Sequence, residues 1–255
     1  MKRIIITIVL TIAVNTLFAQ TYNMKIKQGT VTVYSQTSTV DNITFDNTTN
    51  FTCGNPVLYG GETYPTVLIG SQCWFQKNLN IGTRINGSSS QTENSTIEKY
   101  CYNDFDANCT TYGGLYQWAE TVQYLNGATN TTSPDPAFTG NVQGICPAGW
   151  HIPTFEEFTA LKTEVGIDGG NKLKAIGEGN GIGVGTNTSG FSALLAGHSN
   201  YNGNFSSLGN TARFWSSTET AAIYANILEL YTAASSIGLI DAEKTWGFSV
   251  RCLKD

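Results

Sequence analysis

Six cysteines constrain this chain more than any other feature: Cys53, Cys73, Cys101, Cys109, Cys146 and Cys252. Cys146 opens CPAGWHIPTFEEF (146–158) and Cys252 closes GFSVRC (247–252). No CxxC occurs, so neither a zinc ribbon nor a thioredoxin-like redox motif has support. An even number of cysteines in an exported chain reads as three disulfides, drawn from fifteen pairings that sequence leaves open. We expect Cys53–Cys73, Cys101–Cys109 and Cys146–Cys252. The last closes a loop of roughly a hundred residues, worth about 4–5 kcal/mol in the chain-entropy model.

Export is expected from the N-terminus. Lys2 and Arg3 precede an apolar run from Ile4 to Val14, followed by Leu17-Phe18-Ala19-Gln20. That is the layout of a secretory signal over 1–19, cut after Ala19. The run is too short to span a bilayer, and no later stretch approaches the ~20 apolar residues required, so no membrane insertion is expected. No cysteine lies near the cut to carry a lipid anchor. Periplasm, cell surface and medium all fit.

Loss of Lys2 and Arg3 leaves twelve basic against nineteen acidic residues, a net charge of −7. Only 13% of the chain is charged and no basic cluster stands out. Such a surface does not attract phosphate backbones, which argues against nucleic acid as a partner, or anionic lipid headgroups.

Residues 20–50 read as a small β segment and linker. Lys25-Ile26-Lys27 and Thr30–Tyr34 alternate around Gly29. Too few apolar residues are present to bury a core, so this segment is expected to pack on the main domain or on a neighbouring copy. Residues 51–255 form the main domain.

Two helices are expected there. Leu115, Trp118, Ala119, Val122 and Leu125 make an apolar stripe ended by Asn126-Gly127. The second helix starts at a capping box, Thr154 with Glu157, buries Phe155, Phe158, Leu161 and Val165, and stops at Gly166. Core strands are expected at 65–69, 191–195, 212–216, 222–230 and 246–251. Gly166–Gly190 holds nine glycines, five of them alternating from Gly177 to Gly185. It lacks GxGxxG and GK[ST], so a flexible loop is expected rather than a phosphate cradle. Two helices amid short strands and long loops give an α+β class.

IGSQCWFQKNL (69–79), CYNDFDANCTTYGGLYQWAE (101–120), CPAGWHIPTFEEF, NTSGFSALLAGH (187–198), FWSSTE (214–219) and GFSVRC occur in this order. The set closely resembles the Fibrobacter succinogenes major paralogous domain family of exported bacterial proteins, over about residues 51–255. The family is similar in fold to C-type lectin-like domains and to formylglycine-generating enzymes. The resemblance therefore implies a C-type-lectin-like α+β domain with short antiparallel strands, and export. HIPTFEEF resembles the "LPTEAEWE" helix start of that wider group, and GFSVRC its closing strand. VDNITF resembles a leader found ahead of such domains in Bacteroidetes-type bacteria.

An oxidase of the formylglycine-generating type needs two reactive cysteines close together near the C-terminus, and here Cys252 stands alone. Non-haem iron needs several histidines, and this chain has only His151 and His198. Gly197-His198-Ser199-Asn200-Tyr201 lacks the last glycine of a nucleophile elbow. Glu156 and Glu157 fit capping better than acid–base work. Asp104, Asp106 and Asn108 alternate on a disulfide-closed loop and are the candidate calcium ligands, though the EF-hand pattern is absent. No other cofactor is expected. Sugar-binding lectins use EPN or QPD with WND. Neither tripeptide is present, and FWSSTE stands where WND would be. Asn187, Trp215, Ser216, Ser217 and Glu219 are the candidate ligand-binding residues, with Trp215 expected mainly as core. The expected function is a non-enzymatic binding or surface-structural protein, recognising glycan or another surface macromolecule through loops on a rigid scaffold. The rivals are a cofactor-dependent enzyme and an assembly subunit joined through the N-terminal β segment.

Overall fold

The structure is a computed structural model that describes residues 51–255. The expected signal and the small β segment fall outside the described residues. Two hairpins open the domain: β1 (Val57–Tyr59) with β2 (Glu62–Tyr64), and β3 (Thr66–Ile69) with β4 (Gln72–Phe75). Two-residue strands β5 (Thr83–Arg84) and β6 (Glu98–Lys99) pair in parallel. Helices α1 (Asp106–Tyr112) and α2 (Trp118–Thr121) follow, then β7 (Trp150–His151), α3 (Phe155–Val165) and α4 (Gly169–Leu173). The hairpin of β8 (Ala196–Ser199) and β9 (Phe205–Leu208) leads into β10 (Thr211–Ala221), β11 (Tyr224–Tyr231) and β12 (Gly238–Glu243), an antiparallel sheet. The short β13 (Leu253–Lys254) closes a second sheet in the order β3-β4-β13-β7.

Side chains alternate across a strand, and this chain uses the alternation to feed two cores at once. On β4, Phe75 joins a core with Trp118, Trp150, Trp215 and Phe248, while its neighbour Trp74 joins the other, with Phe158, Leu161, Phe191 and Phe214. The same division repeats at Phe214 and Trp215 on β10, and at Ile227 and Leu228 on β11. Between the cores lies Arg251, almost fully buried. Its Nε donates to Asn78 Oδ1 at 2.7 Å, Nη1 to the carbonyls of Phe75 and Phe191, and Nη2 to that of Ser192 at 3.0 Å. Its guanidinium lies 4.5 Å from the Phe191 ring centre. Burial lowers its pKa to about 9, and the partial charges of four oxygens take the place of a counter-ion.

The disulfides are Cys53–Cys73, Cys101–Cys109 and Cys146–Cys252, the expected pairs. Helix α3 also has its expected cap: Thr154 Oγ1 accepts from the Glu157 N–H, and Glu157 Oε2 accepts from the Thr154 N–H. Phe158, Leu161 and Val165 are buried and Gly166 ends the helix; Phe155 is only half-buried.

Three expectations need correction. The stripe at 115–125 does not make one helix. Leu115 pairs with Tyr100 in a β-bridge, α2 lasts only from Trp118 to Thr121, and Gln123 and Tyr124 take left-handed conformations that end it. The segments 191–195 and 246–251 form only isolated bridges: Ser192 takes a left-handed conformation that breaks the first, and the second bridges Ser199, Tyr116 and Phe214 in turn. Gly166–Gly190 is packed in part: several of its glycines meet close backbone, while Ile167, Ile176, Ile182 and Val184 stay exposed. A Cβ on Gly179 or Gly183 would meet the Thr232 carbonyl at 2.8 or 2.3 Å, and one on Gly185 the Ala175 carbonyl at 2.2 Å. Gly177 and Gly181 face open space but hold positive φ. The alternation thus mixes close approach with turning. Buried Lys174 fastens the opposing loop by donating to the carbonyls of Tyr231 and Ala234.

Candidate functional site

The sequence QTENSTIE (91–98) carries short polar side chains that bond their own backbone, so it folds as a compact loop. Asn94 Oδ1 accepts from the Thr96 N–H, and Ser95 takes the left-handed conformation. Glu98 holds the loop from below: Oε2 accepts from the Thr92 N–H and Oε1 from Asn94 Nδ2. Gln91 pins it to the start of α2, because Gln91 and Gln117 each donate a backbone N–H to the other's side-chain oxygen, at 3.0 and 2.7 Å.

The loop stands over Glu120 of α2, and between them lies a cleft of about 190 Å³. At ~30 Å³ per water it has room for about six waters, or one small polar group. Thr92, Glu93, Asn94, Thr96, Gln123 and Tyr124 line it above Glu120. Glu120 is 1% exposed. Its Oε1 accepts from the Glu98 N–H and from Gln123 Nε2; its Oε2 accepts from the Tyr124 hydroxyl at 2.9 Å. Burial raises its pKa above the usual carboxylate value, against the pull of those donors. Among the described residues the lining holds no cation, so acceptors predominate and the cleft suits donor-rich groups. Glu120 was missed in sequence. Its signal is an acidic residue amid Trp118, Ala119 and Val122, where only a bonded carboxylate can be buried.

The residues singled out from sequence lie elsewhere. Trp215 and Ser216 have no exposed surface. Trp215 Nε1 donates to the Tyr116 carbonyl and Ser217 N–H to the Pro153 carbonyl, while Thr218 Oγ1 accepts from the Phe155 N–H. FWSSTE therefore secures the core and the first turn of α3 and offers no ligand surface at Trp215 or Ser216. Glu219 pairs with buried Lys244 at 2.6 Å, and Lys244 lies over the Trp118 ring. Asn187 closes a turn on Ser192. Asp104 accepts from the Gly87 N–H, Asp106 pairs with Arg84 at 2.6 Å, and Asn108 donates to the Tyr102 carbonyl. The three calcium candidates thus serve separate partners. Among the described residues, no cluster of three or more His, Cys, Asp or Glu side chains forms a metal-binding group.

His198 and Ser206 come within 2.9 Å, a pairing that invites a nucleophilic reading. The tautomer opposes it. Arg213 Nη1, which only donates, faces His198 Nδ1, so the imidazole proton sits on Nε2 and is donated to Ser206. Burial and the Arg213 charge lower the His198 pKa to about 4. This imidazole is a hydrogen-bond donor to the serine, not a base for it.

Residues 67–254 match the family described as the Fibrobacter succinogenes major domain. The chain belongs to that family. No curated protein and no solved structure matches the chain. In this member of the family, GFSVRC supplies the buried Arg251 and the half-cystine Cys252, and HIPTFEEF supplies the capped α3. None of the described helices is long and apolar enough to cross a membrane.

Proposed function

We propose that this chain is an exported, non-enzymatic binding or surface-structural protein. In this reading its C-type-lectin-like domain recognises glycan or another hydroxyl-rich surface macromolecule at the cleft over Glu120. The observation that carries the reading is the cleft's chemistry. Among the described residues, a buried carboxylate, amides and hydroxyls converge where no cation competes, and Glu120 Oε2 accepts a single bond, leaving a lone pair for a ligand hydroxyl. Tyr124 adds an aromatic edge on the rim. The lectin-like reading of the fold is supported by Cys146–Cys252, which ties the segment before α3 to the closing strand. The kinship implied at the level of fold is analogy, and the site carries the functional argument.

A glycan array probed with the mature chain, with calcium and with chelator, tests this. Saccharide binding that falls at least tenfold in Thr96→Trp, which fills the cleft mouth, is the expected result. Absence of any bound glycan, or binding unchanged in Thr96→Trp, overturns the reading.

A further inference from the structure

Outside the cleft, three polar side chains from separated stretches meet beside β2 and β6. Lys99 Nζ donates to Asn80 Oδ1 at 2.7 Å and to the Asn80 carbonyl at 3.1 Å. Asn80 Nδ2 donates to Glu62 Oε1 at 2.5 Å, and Lys77 holds the other carboxylate oxygen at 2.5 Å. The Tyr64 hydroxyl fixes the Asn80 backbone by accepting its N–H. All of Glu62, Asn80 and Lys99 are partly buried.

An amine, a carboxamide and a carboxylate in this order form a reactive set. Because a C=O bond is about 1.2 Å long, Nζ lies within about 3.9 Å of Asn80 Cγ, close to the range of near-attack geometries. Structural need explains the contacts poorly. A lysine pairing with a neutral amide, while the adjacent carboxylate bonds that same amide, gains less than a direct Lys99–Glu62 pair would.

We propose that Lys99 and Asn80 join in an intramolecular isopeptide bond, with Glu62 as the proton carrier. Lys99 reacts as the neutral amine, its ammonium proton passing to solvent. Nζ adds to Asn80 Cγ, and the carbonyl electron pair moves to Oδ1. Both nitrogens then share one carbon, so the Glu62 carboxylate at Nδ2 takes a proton from the former Nζ and delivers it to Nδ2. The carbonyl re-forms, the Cγ–Nδ2 bond breaks, and ammonia leaves. No oxidant or cofactor enters. Lys77 is a positioning residue that orients Glu62. Burial lowers the Lys99 pKa below that of an ordinary lysine, against the opposing charges of Glu62 and Asp106, which favours the reactive amine.

Mass spectrometry of the full mature chain, reduced, alkylated and denatured, decides the matter. The expected product is lighter than its sequence by one ammonia, and a branched peptide joins Asn80 to Lys99 in the digest. Cyclisation of an N-terminal Gln20 also releases ammonia, so the branched peptide is the deciding readout. Lys99→Arg and Asn80→Ala abolish the link. Glu62→Gln, verified as folded by circular dichroism, slows its formation about 100-fold or more, the scale of a lost acid–base group. An unlinked Asn80 and Lys99 in folded wild-type protein overturns the proposal, as does a link that forms equally fast in Glu62→Gln.

Discussion

Oδ1 of Asp255 lies 2.7 Å from Nδ1 of His151, while the other imidazole nitrogen meets Glu157 Oε1 at 2.9 Å. Two carboxylates on one buried ring favour imidazolium, with both nitrogens donating. Burial works to lower the His151 pKa, but Glu157 and Asp255 together outweigh it and raise the value above the usual 6.5. The Glu157 carboxyl is likewise stabilised as an anion: burial raises its pKa, and His151 and the Thr154 N–H lower it further than that.

The pH dependence follows from those directions. A histidine whose pKa rises on folding stabilises fully below its unfolded value, ~6.5, and the contribution is lost as pH rises through the folded value. Glu157 contributes above its unfolded value, ~4.3, and loses its share as pH falls through the folded value. We expect thermal unfolding midpoints to be highest between about pH 5 and 6.5 and to decline above it, with the decline absent in His151→Gln. A wild-type curve flat from pH 6 to 9 contradicts this.

Arg251→Met should cost about 3–5 kcal/mol, because four oxygens around a buried side chain lose their donor. Arg251→Lys should not rescue it, since an ammonium cannot reach three directions with a planar fork. Urea unfolding of both variants checks the point; a cost under about 1 kcal/mol for Arg251→Lys contradicts it.

Cys146→Ala with Cys252→Ala should destabilise more than Cys101→Ala with Cys109→Ala. The sequence separations are 106 and 8, so loop entropy alone gives a difference of about 2 kcal/mol. Thiol titration of the denatured, unreduced wild type should find no free thiol in residues 51–255, where every cysteine is bonded.

Within Gly166–Gly190, Gly183→Ala should be worse than Gly181→Ala. At Gly183 a Cβ meets the Thr232 carbonyl at 2.3 Å and the Ala234 nitrogen at 2.6 Å, so backbone must move. At Gly181 there is space, and only the positive φ costs, about 1–2 kcal/mol. Equal melting temperatures for the two variants would remove the packing account of this segment.

How much was readable in advance depends on how local the cause was. The α3 cap was legible because Thr154 and Glu157 are three residues apart and act on each other. That the six cysteines bond was legible from their even number, but sequence left fifteen pairings open, and the choice among them depends on which strands the fold brings together. The helix expected at 115–125 failed because Leu115 obeys a bridge to Tyr100, and because Gln123 and Tyr124, with no turn-forming residue type, adopt left-handed φ. The cleft was illegible for a related reason: Glu120 gains its meaning only from the 91–97 loop folding above it. Within FWSSTE, Trp215 is core as expected, whereas Ser216 and Ser217, candidate ligand groups by residue type, are buried, with the Ser217 N–H donating to the Pro153 carbonyl just ahead of α3. The Glu62–Asn80–Lys99 set is spread over three segments that sequence gives no reason to join.

Since adjacent residues on β4, β10 and β11 are shared between opposite interiors, opening one side strips support from the other. Among the described residues neither core is a weak half that a protease could remove alone. Residues 51–255 therefore persist whole or are lost whole.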